Sequence, residues 1–166
     1  MNDTTHDIKT LLIRDLSGMQ AELLAYETES DIWSLAPGIN NSAGTLVLHC
    51  VGNLRHFIGA ALGHTGYQRD RDGEFSARDL PREALVSLLD EAKADVSAGL
   101  SNLGEADLRG TAGLPGGKSC TRERFLHHLC THLTYHLGQV DFHRRLITGS
   151  GALDRILGLG ALDPGE

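Results

Sequence analysis

Apolar residues recur at helical spacing in four long stretches of the chain. Ile8, Leu11, Leu12, Leu16, Met19, Leu23 and Leu24 mark an amphipathic helix over about Thr5 to Glu29. Residues Ser34 to Asn41 contain Pro37-Gly38 and read as a connection. Asn41 or Ser42 is placed to cap a second helix over about Ser42 to Gly63. The long polar crossing His64 to Leu80 follows, longer than an ordinary link between antiparallel helices. A third helix opens near Pro81 and runs through Leu85, Leu88, Leu89 and Val96 to about Leu103. The glycine-rich loop Gly110 to Gly117 leads to a fourth helix, from Ser119 or Thr121 to about Thr148. The tail after Gly149 has room for one short helix around Leu153 to Leu157. No segment alternates as a strand does, and no repeat interrupts the pattern. These elements predict an all-α protein, a four-helix bundle with one long crossover between helices two and three, in a single domain spanning 1–166.

The fourth helix departs from simple amphipathicity. His128, His132 and His136 lie four residues apart, and at about 100° per residue they drift by only about 40° per step, so they form one stripe. Phe125, Leu129, Leu133, Val140 and Ile147 flank that stripe, and Gln139 and His143 continue it. His127, Thr131, Thr134, Asp141 and Arg145 fall on the opposite side, with Cys130 also on the outer side. Imidazoles inside an apolar arc need partners for their nitrogens, either other side chains or a metal ion. Helix two offers His49, Asn53 and His56 on one stripe with Ala60. Periodicity alone leaves that stripe facing either solvent or interior, because Val47, Val51, Leu54, Ile58 and Leu62 cover much of the circumference. A helix apolar on two sides packs on two sides, so one face of helix two is expected against a second subunit.

A zinc or nickel site needs neutral imidazoles converging at about 2.0 to 2.1 Å from the ion, and catalytic sites commonly use three protein ligands. His132 and His136 supply two. His49 is a candidate for the third, with His128 and His56 as rivals. The Glu-x-x-His pairs of di-iron bundles and the HExxH of metalloproteases do not occur around these histidines. Cys50 reads as a core thiol, and Trp33 and Tyr135 as packing residues, Tyr135 within reach of the stripe. The segment Gly113-Leu-Pro-Gly-Gly117 lacks the pattern of a phosphate-binding loop.

Composition narrows the classes of partner. The net charge of −7, with no basic block to offset it, argues against nucleic acid. The most apolar stretch, Thr45 to Leu62, is broken by His49, Asn53, Arg55 and His56, and the N-terminus lacks a signal-peptide pattern, so neither membrane insertion nor export is expected. Three cysteines without CxxC spacing point to a reducing compartment, the cytoplasm.

Four segments together resemble the DinB-like superfamily of small bacterial proteins, in particular an uncharacterised branch. They are Asn41-Ser-Ala-Gly-Thr-Leu-Val-Leu-His49, Gly52-Asn-Leu-Arg-His-Phe-Ile-Gly59, Tyr67-Gln-Arg-Asp-Arg-Asp-Gly-Glu-Phe75 and His132-Leu-Thr-Tyr-His-Leu-Gly-Gln139. The resemblance covers nearly the whole chain. It implies an up-down-down-up bundle, often a homodimer, holding a divalent metal on three histidines that correspond to His49, His132 and His136. His128 then becomes a residue that orients a ligand, with Asn53, Tyr135 and Gln139 as polar neighbours of the site. Relatives include transferases and isomerases that use low-molecular-weight thiols. The expected function is therefore that of a metal-dependent transferase or hydrolase acting on a small molecule with an open three-histidine site. The alternative is a non-catalytic metal-binding or interaction protein, in which the ion braces helices two and four.

Overall fold

The computed structural model describes residues 3–153. The expected tail helix lies outside these residues except for Leu153. The described chain is predominantly helical. Its helices are α1 (Asp3–Leu24), α2 (Ala43–Leu54), α3 (Ala61–Gly63), α4 (Arg71–Ser76), α5 (Arg82–Leu100), α6 (Glu105–Arg109) and α7 (Arg122–Thr148). Between α2 and α3 the chain continues as a π-helical segment, Arg55–Ala60, and a 3-10 turn, Glu29–Trp33, follows α1. Among the described residues, no helix is long and apolar enough to cross a membrane.

Local chemistry explains the helix starts. The Ser42 hydroxyl accepts from the Thr45 amide at 3.2 Å and so caps α2, and Thr121 caps α7 by accepting from Arg124 N at 3.3 Å. Asp70 does the same for α4, accepting from Gly73 N at 2.9 Å.

The core joins Leu12, Leu16, Met19 and Leu23 of α1 to Leu85, Leu89 and Val96 of α5 and to Leu126, Leu133, Leu137 and Val140 of α7. Helix α1 packs on α5 and α7, while α2 packs on α4, α5 and α7. That three-sided packing corrects the argument for a second subunit drawn from helix two. Val47, Val51 and Ile58 are buried within the single chain, and Leu62 packs against the same core.

Three further expectations are corrected. A small antiparallel pair, β1 (Thr111–Gly113) with β2 (Ser119–Thr121), stands where a glycine-rich loop and the start of the fourth helix were expected. Strands of three residues are too short to show alternation, and Gly116 and Gly117 supply the positive φ angles of 74° and 72° that let the connection reverse. The polar crossing, in which no helix was expected, contains α4. Cys130 is not on an outer face but buried against α1, its Sγ 3.9 Å from Ile8 O, and nearby Thr134 donates to the buried carboxylate of Asp15. Polar residues on that face of α7 thus meet a polar residue of α1, a pairing that hydrophobic periodicity does not register. The Cys50 thiol is core, as expected, and burial pushes its pKa up.

Candidate metal centre

Helix α7 carries His132 and His136 one turn apart, and α2 lies beside it with His49 facing them. His132 Nε2 is 3.3 Å from His49 Nε2 and 3.2 Å from His136 Nε2. A tetrahedral centre with metal–nitrogen bonds of about 2.0 to 2.1 Å has nitrogen–nitrogen edges of about 3.3 to 3.4 Å. Two edges of the histidine triangle are therefore already near that length. One nitrogen from each of the three rings lies within 4.8 Å of the others, and among the described residues this group of possible ligands comprises these three histidines.

The far side of each ring decides what the near side offers. His49 Nδ1 lies 3.0 Å from Glu74 Oε2, and a carboxylate oxygen accepts, so the imidazole proton belongs on Nδ1 and a lone pair on Nε2. His136 Nδ1 lies 2.6 Å from Gln139 Oε1, and Gln139 in turn donates its Nε2 to Tyr135 OH at 3.3 Å. That arrangement also turns the His136 proton outward. Two bare Nε2 lone pairs then face His132 Nε2, which can donate at most one hydrogen to them. Hydrogen bonding among the rings leaves at least one lone pair unpaired, whereas a divalent cation satisfies all three. The donor set fits such an ion.

The surroundings of His132 and His136 favour neutral rings. The His132 pKa is held down to about 4, first by burial and then by His136, His49 and His128 alongside. The His136 pKa is lowered too, chiefly by burial, with the Gln139 hydrogen bond opposing and His49 adding to the effect. Neutral imidazole is the form that binds metal.

The other expected residues are distributed less evenly. Gln139 joins the site through His136, and the Tyr135 ring lies 5.3 Å from that of His136, yet Tyr135 is 65% exposed and does not pack as expected. His128 is exposed, its ring stacked on Phe125 at 6.2 Å and 5.8 Å from that of His132. Among the described residues it has no hydrogen bond to the three imidazoles, whereas Glu74 and Gln139 hydrogen-bond the outer nitrogens of His49 and His136. His56 does not join the group. The π-helical turn after Leu54 alters the angular register, and the His56 ring rests on Phe57 at 4.7 Å. Among the described residues, Asn53 Oδ1 is buried without a hydrogen-bond partner. Trp33 is buried as expected and donates to Leu80 O at 3.2 Å. Glu74 was not legible as a site residue. It sits in the polar crossing beside Arg69-Asp-Arg-Asp-Gly73, a stretch whose charges do not single out one carboxylate.

A family model described as the DinB superfamily matches residues 11–140, a span that contains His49, Glu74, His132 and His136. The chain belongs to the DinB superfamily. The fold of this chain is also similar to a crystal structure of a conserved protein from Enterococcus faecalis, with a TM-score of 0.73 and 19% sequence identity. That likeness covers 90% of this chain and 99% of the other. Among curated proteins none matches this DinB chain.

Proposed function

We propose that this protein is a divalent-metal-dependent enzyme, using zinc or nickel, in which His49, His132 and His136 hold the ion and leave a position open for a small molecule. The four long helices serve as an up-down-down-up bundle that fixes α2 against α7. The observation that carries the reading is the convergence of three imidazoles with two of the three nitrogen–nitrogen edges at tetrahedral spacing, His49 and His136 having their protons turned outward by Glu74 and Gln139. A divalent ion there would supply Lewis acidity, lowering the pKa of a thiol or water that reaches it. Transfer from a low-molecular-weight thiol, or hydrolysis, is the chemistry this favours.

A cleft of about 670 Å³ lies next to the centre, within the ordinary size of small-molecule sites. Leu46, one of its walls, stands one turn before His49 on α2, and Gln139, another, stands one turn after His136 on α7. The cleft therefore continues the α2–α7 groove beyond the histidines. Phe142 and Tyr135 are exposed on its wall, with Gly138 between them, and Asn41 adds a carboxamide. His143, also lining it, has both nitrogens engaged, with Tyr26 OH at 2.6 Å and Ser34 O at 2.8 Å.

We also place the protein in the cytoplasm, supported by three free cysteines. A homodimer is retained as a proposal on new ground: Phe142 and Leu146 of α7 are 62% and 52% exposed.

Activity of the zinc- or nickel-loaded protein with bacillithiol, mycothiol and glutathione against electrophilic acceptors tests the reading. Turnover is expected in the wild type and lost in His49→Ala. A Cβ on Gly138 meets nothing within 4 Å, so Gly138→Leu is expected to fill the cleft and raise KM while leaving the metal content unchanged. Turnover that survives in His49→Ala, or no turnover with any of the thiols or with water, overturns the enzymatic reading.

A further inference from the structure

We infer that Glu74 is a positioning residue for the metal centre, seated by Arg69 and Gly52, so that the polar crossing between α2 and α5 is a working part of the site. The inference rests on the three-histidine reading and adds the residues that tune it.

Glu74 is 6% exposed, unusual for a carboxylate on a six-residue helix bounded by solvated segments. Its burial is compensated on two sides. Arg69 donates Nε to Oε1 at 2.6 Å and its second guanidinium nitrogen to Oε2 at 2.9 Å, a two-pronged clasp that fixes the plane of the carboxylate. Oε2 also accepts from His49 Nδ1. The Phe75 ring, next in sequence, lies 5.0 Å from the His49 ring and limits its rotation.

The seat for this carboxylate is built into α2. A Cβ at Gly52 would lie 2.1 Å from Glu74 Oε1 and 2.7 Å from Glu74 Cδ, far inside contact distance. Glycine in a helix interior is destabilising relative to alanine. Here the missing side chain creates the space in which the carboxylate reaches His49.

Charge separates the two outward partners. Gln139 offers His136 a neutral amide oxygen, while Glu74 offers His49 an anion, which raises the donor strength of His49 Nε2 and locks its tautomer more firmly. Arg69 compensates that anion, so the carboxylate orients His49 without adding net charge beside the ligands.

The test has two readouts. In metal-free protein, long-range proton–nitrogen NMR correlations report the His49 tautomer. The wild type is expected to hold the proton on Nδ1, and Glu74→Ala to lose that preference. Zinc affinity, measured by competition with a chromophoric chelator, is expected to fall 10- to 100-fold in Glu74→Ala. Glu74→Gln keeps an acceptor without the charge and is expected to recover part of the loss. Gly52→Ala, which touches neither the ion nor His49, is expected to behave like Glu74→Ala, and it carries the test if Glu74→Ala fails to fold. An unchanged His49 tautomer together with wild-type zinc affinity in Glu74→Ala or Gly52→Ala overturns the inference. Wild-type protein that binds no zinc overturns the three-histidine reading instead, and the tautomer measurement still decides the role of Glu74.

Discussion

At the scale of single residues, His132 experiences the strongest electrostatic pressure in the site. It stands between His49 and His136, half-buried, and its pKa of about 4 compares with an ordinary value of 6.5. Between those values the folded chain binds fewer protons at this ring than the unfolded chain does. Its contribution to stability is therefore complete above about pH 6.5 and is lost progressively as the pH falls toward 4. The lowered pKa of His136 acts with the same sign. Urea unfolding of the metal-free protein is expected to show midpoints that drop from pH 7 to pH 4.5, and His132→Asn is expected to flatten part of that slope. Equal slopes in the two proteins would mean that His132 is not held neutral by its surroundings.

At the scale of elements, the long helices were legible because their apolar period is unbroken over many turns. The caps at Ser42 and Thr121 followed from side-chain chemistry that acts within three residues. His132 and His136 were legible for the same reason, being fixed relative to each other by one turn of α7. Other features depend on contacts between distant segments. Glu74 becomes a site residue only when α4 folds onto Gly52. Residue His56 stands two turns beyond His49, at the start of the π-helical segment, and rests on Phe57. The face of α7 with Cys130 and Thr134 turns inward because α1 offers Asp15. A buried ion pair shows the same limit: Arg144 of α7 donates to Glu22 of α1, with side chains 1% and 0% exposed. Arg144 also holds Ser150 and, at 2.9 Å, Gly151 O, so it ties the chain beyond α7 back to the bundle. Burial pushes the Glu22 carboxyl up while Arg144 opposes the shift. Removing one partner strands the other charge, so Glu22→Ala is expected to lower stability by about 3 to 5 kcal/mol, whereas joint replacement by Leu and Met is expected to cost little. Denaturant unfolding checks both. A loss below about 1 kcal/mol in the single variant would contradict the burial of this pair.

At the scale of the whole molecule, the metal centre, its buttress and the adjacent cleft share the groove where α2 meets α7. The remaining helices frame that groove: α1 and α5 complete the core, and α4 packs on α2 to bring Glu74 to His49. An ion there would join ligands 83 residues apart in the chain, His49 on α2 and His132 on α7, and so would link metal binding to the geometry of the cleft. The most direct test is the metal content of the purified protein after loading with zinc and removal of the excess. About one ion per chain is expected for the wild type, by the usual stoichiometry of a three-ligand site. Both His132→Ala and His136→Ala are expected to retain far less, and metal content in both variants equal to that of the wild type would contradict the account.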